Sequence, residues 1–468
     1  TYPNSIQNVF SYNSLYRPSN ITATPLGTGV IHYSVDYTYD DVGNKTRAEW
    51  YSDVSPVLNY VKNYQYDNLH QLTHEAKWNP DETVKDYEYS YTFDDAGNRT
   101  SMGYYENGQG TVTTTYLNNN INQLTDRFIT GGDEFNYSYD LNGNMTQEYN
   151  LGNSRTFTWN QDNRLIEVDD DINGGHVQYV YDAVGRRLIR KDLDSGVWTK
   201  YYYDGLTVVA EMQSTDGGQN WSWKRIMATG PGVIGNIFSI STYNSTSWIS
   251  EYLHYDAIGN VVMKTDYTGN PVAAFDQEAY GIVKDGAQSG YHLTTKEYDT
   301  GSDLYYFWQR WYDPVVGRFI SKAPYPSHKE HPFIYGNNNP VKNFDVRGER
   351  VELCNTNSWS PHWWLRVNGE GHGFYPTQTV YGFIGQPGGV FDDSNLSGSC
   401  HEYICSQGED CVTDLWNWYS GRYILYIYDC WGWANEILTI CGCTRKHKSC
   451  KVYPLGANPP DRPHVPWQ

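Results

Sequence analysis

The chain has 468 residues, 39% hydrophobic and 19% charged, and no apolar run reaches the length of a membrane-spanning helix, which excludes one. Its 44 Tyr and 17 Trp exclude disorder over most of the length, because disordered chains are poor in aromatic residues. A formal charge of -20 argues against a surface that wraps nucleic acid. The chain opens at Thr1 without a signal-peptide pattern, so it reads as a fragment or a processed piece. All eight Cys lie between 354 and 450, and eight of the 17 Trp follow residue 350. Lys+Arg minus Asp+Glu is 26 - 43 = -17 before residue 350 and 8 - 11 = -3 from there on. Two domains of different chemistry are expected, parting near Gly348.

The first part is repetitive. Tyr37–Thr46 (YTYDDVGNKT), Tyr64–Thr73 (YQYDNLHQLT), Tyr91–Thr100 (YTFDDAGNRT) and Tyr137–Thr146 (YSYDLNGNMT) align with one another. Phe157–Ile166 (FTWNQDNRLI), Tyr179–Leu188 (YVYDAVGRRL), Tyr201–Ala210 (YYYDGLTVVA) and His254–Met263 (HYDAIGNVVM) continue the series. Tyr-x-Tyr places two rings on one face of a strand, because strand side chains alternate. Asp then starts a turn, Gly-Asn supplies its positive-φ positions, and a second strand returns. A single hairpin cannot bury such an aromatic face, whereas hairpins stacked side by side share it.

The pattern Y-x-Y-D-x-x-G-N/R resembles the tyrosine-aspartate repeats of bacterial Rhs proteins and of the C subunits of insecticidal toxin complexes. KEYDTGSDLYYFWQRWYDPVVGRFIS (Lys296–Ser321) and FIYGNNNPVKNFDVRGER (Phe333–Arg350) resemble the Rhs-associated core that ends those repeats. The resemblance implies a mainly β fold in which a spiralling strip forms a shell, or cocoon, around a variable toxin. Residues 1–289 are then YD-repeat shell, 290–349 the core and self-cleavage region, and 350–468 a small α+β toxin domain. Some 350 residues make only part of a shell, so the remainder of the Rhs shell is an expected partner. A secretion or delivery machinery and a cognate immunity protein are implied as well, and the product is expected to be secreted and delivered into a target cell.

Cores of this family cut the chain after a D-P-x-G-L-like motif with two aspartates and an arginine. The corresponding string is Asp345-Val346-Arg347-Gly348-Glu349, and Arg310 matches the arginine. Where the second aspartate is expected, Ser321-Lys322-Ala323-Pro324 offers Ala323, which cannot ionise. Two close carboxylates sharing a proton supply the acid and the base of such a cut. With one of them missing, the Glu349–Arg350 bond is expected to stay intact or to break very slowly.

In the second part, Ser360–Pro376 (SPHWWLRVNGEGHGFYP) predicts a strand, an Asn368-Gly369 turn and a return strand. Tyr423–Tyr428 predicts another strand, and Asp429 caps a helix whose first turn holds Cys430. A helix N-terminus lowers a thiol's pKa, and His362 brought from the hairpin could take the proton. HWWLRVNGEGHGFYP and YDCWGWANEIL resemble circularly permuted papain-like (NlpC/P60-like) domains, although Asp429 stands where those have Asn. Pairing Asn368 with Gly371 sets Thr377 opposite His362, leaving Gln378 and His372 as candidates for the third member of a triad. The resemblance implies a cysteine hydrolase of amide or ester bonds: a protease, deamidase or peptidoglycan amidase.

Cys441-Gly442-Cys443-x3-His447-x2-Cys450 has zinc-like spacing, while a secreted protein favours disulfides. Disulfides, a structural zinc held by Cys441, Cys443, His447 and Cys450, and free thiols remain the three readings. No cofactor is required for catalysis. The rival to the hydrolase is a non-catalytic, disulfide-rich or zinc-binding effector or adhesion module carried by the shell.

Overall fold

The computed structural model describes residues 1–55, 58–230, 234–324 and 331–345, together with the backbone of seven short strands between Cys354 and Lys446. Two compact units divide the chain, Thr1–Glu349 and Arg350–Gln468. The first is built on an antiparallel sheet of 23 strands, running from Ile6–Tyr12 to Pro271–Ala274. Each strand pairs with the next in sequence, so the whole sheet is one meander of hairpins.

One turn explains the repeat. In the loop after Tyr33–Tyr39, the Asp40 carboxylate accepts the Asn44 backbone N–H at 2.7 Å and the Asn44 side-chain amide at 2.8 Å. The same clamp joins Asp94 to Asn98, Asp140 to Asn144 and Asp256 to Asn260. Gln71 replaces Asn opposite Asp67, and Arg186 does so opposite Asp182. The residue before the clamp is left-handed: Gly43 at φ 88°, His70 at 63°, Gly97 at 88°. Of the expected Gly-Asn pair, therefore, only Gly takes positive φ. Asn is needed for its amide instead, which satisfies the second carboxylate oxygen.

The clamp also reveals a repeat that the Tyr-Asp pattern hides. Asn119 binds Gln123, and Asn122 takes the left-handed position at φ 65°. An amide oxygen thus serves where Asp usually stands, filling the gap between Asp94 and Asp140. Asp204, by contrast, pairs directly with Thr207 across a tighter loop and forms no such clamp.

The two rings of Tyr-x-Tyr have different tasks. The first is buried, as Tyr37 and Tyr179 are. The second reaches back to the preceding repeat: Tyr39 donates to the Pro18 carbonyl, Tyr66 to Lys45, Tyr181 to Leu165, Tyr203 to Arg187 and Tyr255 to Ile237, at 2.6–2.7 Å. In the divergent FTWN repeat, Trp159 Nε1 makes the equivalent bond to Met145 O. These repeats are thereby tied to their predecessors by a hydrogen bond as well as by the sheet ladder, whereas Phe93, in the same place, has no donor to offer.

The early strands meet the late ones along a seam. Tyr2 donates to the Leu253 carbonyl at 2.8 Å and Tyr33 to that of Tyr255 at 3.0 Å, while the Asn4 amide reaches Thr265 Oγ1 at 2.8 Å. His254 lies fully buried in this seam, its ring 4.8 Å from that of Tyr2 and its Nε2 2.8 Å from Thr265 Oγ1. Burial pushes its pKa down to about 3, and His32 adds to the shift. An unfolded histidine titrates near pH 6.5, so below that pH the unfolded chain binds a proton that the folded one refuses. The stability from keeping His254 neutral is complete above about pH 6.5 and is lost progressively as pH falls towards about 3. Urea unfolding should show a shallower pH dependence over this window in His254→Asn than in the parent chain; parallel profiles would contradict this.

A second sheet follows the meander, made of Gly290–Tyr291, Glu297–Asp299, Leu304–Tyr306, Trp311–Asp313 and Arg318–Phe319, each antiparallel to the next. Its core is aromatic, with Tyr305, Phe307, Tyr312, Phe319 and Tyr335 fully buried.

In the unit from Arg350 on, Trp363–Val367 pairs antiparallel with Glu370–Pro376. The expected hairpin is present, but Val367 pairs with Glu370 and His372 with Leu365. This register differs from the Asn368–Gly371 pairing expected above. A two-residue Asn-Gly connection sets its flanking residues directly opposite each other, which shifts the ladder by two. His362 and Thr377 lie outside the described residues.

Candidate functional site

The end of the first unit concentrates the groups that the sequence marks for chain cleavage. Arg310 precedes the strand Trp311–Asp313, and the buried aromatic cluster sets its position: its guanidinium carbon lies 3.5 Å from the centroid of the Phe319 ring. From there Nη2 donates to Asp345 Oδ2 at 2.8 Å, with the two side chains only 2% and 7% exposed. Nη1 donates to the Pro332 carbonyl at 3.1 Å. The same carbonyl accepts the backbone N–H of Ala323 at 2.9 Å, and Ala323 is buried. Arg310 thus holds Asp345 directly and shares the Pro332 carbonyl oxygen with Ala323. Further hydrogen bonds to the remaining donors help a buried ion pair offset its desolvation, and the Pro332 carbonyl supplies one to Nη1.

A strap brings Asp345 to this place. Residues 331–342 run along the repeat turns and bind them in succession. His331 Nε2 lies 2.6 Å from Asn98 Oδ1; Asn338 donates to Gln71 Oε1 and to the Gly97 carbonyl; Asn339 donates to Asn44 Oδ1 and to the His70 carbonyl. Lys342 reaches the Val42 carbonyl at 2.9 Å. The clamp residues Asn44, Gln71 and Asn98 therefore act twice, once within their own turn and once towards the strap. Sequence reasoning found Arg310, Asp345 and Ala323 but missed Pro332, Phe319 and the strap asparagines. The run Asn337-Asn338-Asn339 is the signal that could have found the last of these.

Chemically, the arrangement holds one carboxylate against a guanidinium, and the Ala323 side chain is a methyl group that cannot ionise. Glu349 and Arg350 lie outside the described residues. So do Cys430, His362, Gln378, Cys441, His447 and Cys450. Of the other candidates in the second unit, His372 pairs with Leu365 on one side and Asp392 on the other, and Cys443 stands opposite Cys405.

Residues 3–341 match the family described as the teneurin YD-shell. The chain belongs to this family. The YD-shell is 31% identical over 292 residues to the tRNA nuclease WapA of Bacillus subtilis strain 168, a match covering 58% of this chain and 11% of that protein. It is 22% identical over 307 residues to teneurin-3 of Danio rerio, covering 55% of this chain and 10% of that one. Among solved structures, a TcdB2–TccC3–Cdc42 complex shares the fold at a TM-score of 0.60 and 17% identity, over 74% of this chain and 18% of its own. A Photorhabdus luminescens Tc holotoxin pore with an Asp-to-Ala mutation in TccC3 also reaches 0.60, at 18% identity, over 75% of this chain and 18% of its own. The YD-shell chain thus spans about a tenth of the length of these curated relatives. Among its described residues, no helix is long and apolar enough to cross a membrane.

Proposed function

We propose that residues 1–349 form the closing end of a toxin container and that residues 350–468 are its cargo, a Cys/His hydrolase of amide or ester bonds. The observation that carries the container reading is the Arg310–Asp345–Ala323 cluster, set at the last described residues of the shell and a few residues ahead of the cysteine-bearing segment. A chain built to release its C-terminal part needs its cutting groups at that junction. Kinship with WapA and a shared fold with Tc toxin structures support the same reading. The remainder of the shell, a delivery machinery and an immunity protein are the partners it calls for, and the target cell is where the cargo acts.

In the cargo, the Cys430 thiolate attacks the carbonyl carbon, His362 takes the thiol proton and returns it to the leaving group, and water then hydrolyses the thioester. His372 or Gln378 would orient His362, and no cofactor takes part. Expression of residues 350–468 in bacterial cytoplasm is expected to stop growth, and Cys430→Ala is expected to restore it. Growth arrest unchanged by Cys430→Ala would overturn the hydrolase and favour a binding effector.

A further inference from the structure

The strands Glu402–Cys405 and Cys443–Lys446 pair antiparallel without a bulge, in the order Glu402 with Lys446, Tyr403 with Arg445, Ile404 with Thr444 and Cys405 with Cys443. Two cysteines therefore occupy one register position, at the rung where the chain leaves the ladder for the connection 406–442. We propose that Cys405 and Cys443 are joined by a cross-strand disulfide.

Three considerations lead there. Directly opposed residues in an antiparallel pair have Cα atoms about 4.5 or 5.5 Å apart, within the span that a disulfide bridges. An isolated two-stranded ribbon is marginal in water, and a connection as long as 406–442 adds to the entropy of bringing its strands together. A covalent link at the first rung removes that freedom from the unfolded chain. Finally, Glu402 and Lys446 share a register position at the far end of the ladder, and opposite charges at opposed positions favour an antiparallel pairing. The link also decides among the readings of the cysteine-rich segment, since a bridged Cys443 cannot be a zinc ligand. It closes a loop holding Cys411, Cys430 and Cys441 without using any of them.

The bond forms by thiol–disulfide exchange with a small-molecule disulfide such as oxidised glutathione. The thiolate of one cysteine displaces one glutathione thiol to give a mixed disulfide; the second thiolate attacks the protein sulfur of that intermediate and releases the other. Two protein thiols are oxidised and one glutathione disulfide is reduced to two thiols.

The test uses the full chain equilibrated with oxidised glutathione, alkylated in denaturant and digested without reductant. The expected product is a single linked peptide pair containing Cys405 and Cys443, lighter by two hydrogens than its reduced parts and lost on reduction. Cys443→Ser should turn Cys405 from unlabelled to fully labelled, and labelling in denaturant makes this readout independent of folding. Alkylation of both cysteines in the parent chain would overturn the proposal, as would linkage of either to another cysteine. One zinc per chain that disappears in Cys443→Ser would overturn it too.

Discussion

Ala323→Asp is expected to convert a chain that migrates as one band into two fragments parted at or near Glu349–Arg350. Ala323 is buried, and its backbone shares the Pro332 carbonyl with Arg310, which in turn holds Asp345 at 2.8 Å. A carboxylate introduced at this position is expected to meet that of Asp345, as the family motif implies. Two carboxylates in close, desolvated contact do not both ionise, so one keeps a proton. The ionised member can take a proton from water as its oxygen attacks the Glu349 carbonyl carbon; the protonated member can give its own to the departing nitrogen of Arg350. Adding Asp345→Asn to Ala323→Asp should return the single band, because the pair is again reduced to one ionisable carboxyl. A chain that stays whole with Ala323→Asp while keeping the parent's thermal unfolding profile would remove the processing role from this cluster. Wholesale cutting of the parent chain at residue 349 would show that Ala323 does not disable it.

How much of this was legible in the sequence depends on the range of the interaction concerned. The hairpins are local, and Tyr-x-Tyr-Asp followed by Gly carries most of their geometry, so the sheet of stacked hairpins can be read directly, while the shell is implied only by the family resemblance. The clamp is nearly as local, spanning four residues from Asp40 to Asn44. Its chemistry is nevertheless hidden, because spacing alone does not tell a residue chosen for its backbone from one chosen for its amide. Asn119 escaped for a related reason: the turn needs a carbonyl-type oxygen that accepts two N–H groups, here those of Ile121 and Gln123, and Asp is only its commoner source. The strap lies beyond any local pattern. Asn339 meets Asn44 across 295 residues, and nothing in Gly336-Asn337-Asn338-Asn339 names its partner. Arg310 and Asp345 became visible only through resemblance to a family motif, while the Pro332 carbonyl that joins them to Ala323 is a backbone group without a sequence signature. In the second unit, Asn-Gly announced the hairpin, but the register needed the rule that a two-residue connection leaves its flanking residues paired.

The largest loss of stability is expected at Arg187. It follows the clamp residue Arg186, so its place in the repeat is that of Lys45 and Arg99, but its partners come from the second sheet. Fully buried, it pairs with Glu297 through Nη2 and with Asp299 at 3.3 Å through Nη1, and its guanidinium lies 4.3 Å from the Tyr201 ring centroid and 4.5 Å from that of Tyr306. Asp299 is also held by Arg190 at 2.9 Å and by the Tyr179 hydroxyl at 3.1 Å. Arg187→Met keeps most of the side-chain length against the rings but strips the charge facing two desolvated carboxylates. Removing one partner of a buried charge network costs about 3–5 kcal/mol, because the remaining charges stay buried and under-compensated. Arg47→Met makes the comparison: its partners Glu49 and Glu82 are 53% and 36% exposed, and water screens such pairs to about 0–1 kcal/mol. Denaturant unfolding of the two variants should therefore separate them by several kcal/mol. Adding Glu297→Gln and Asp299→Asn to Arg187→Met should recover part of the deficit, since amides leave no unpaired charge behind. If Arg187→Met unfolds no more readily than Arg47→Met, the attachment of the repeats to the closing sheet rests on its aromatic packing, and the charges between them are incidental.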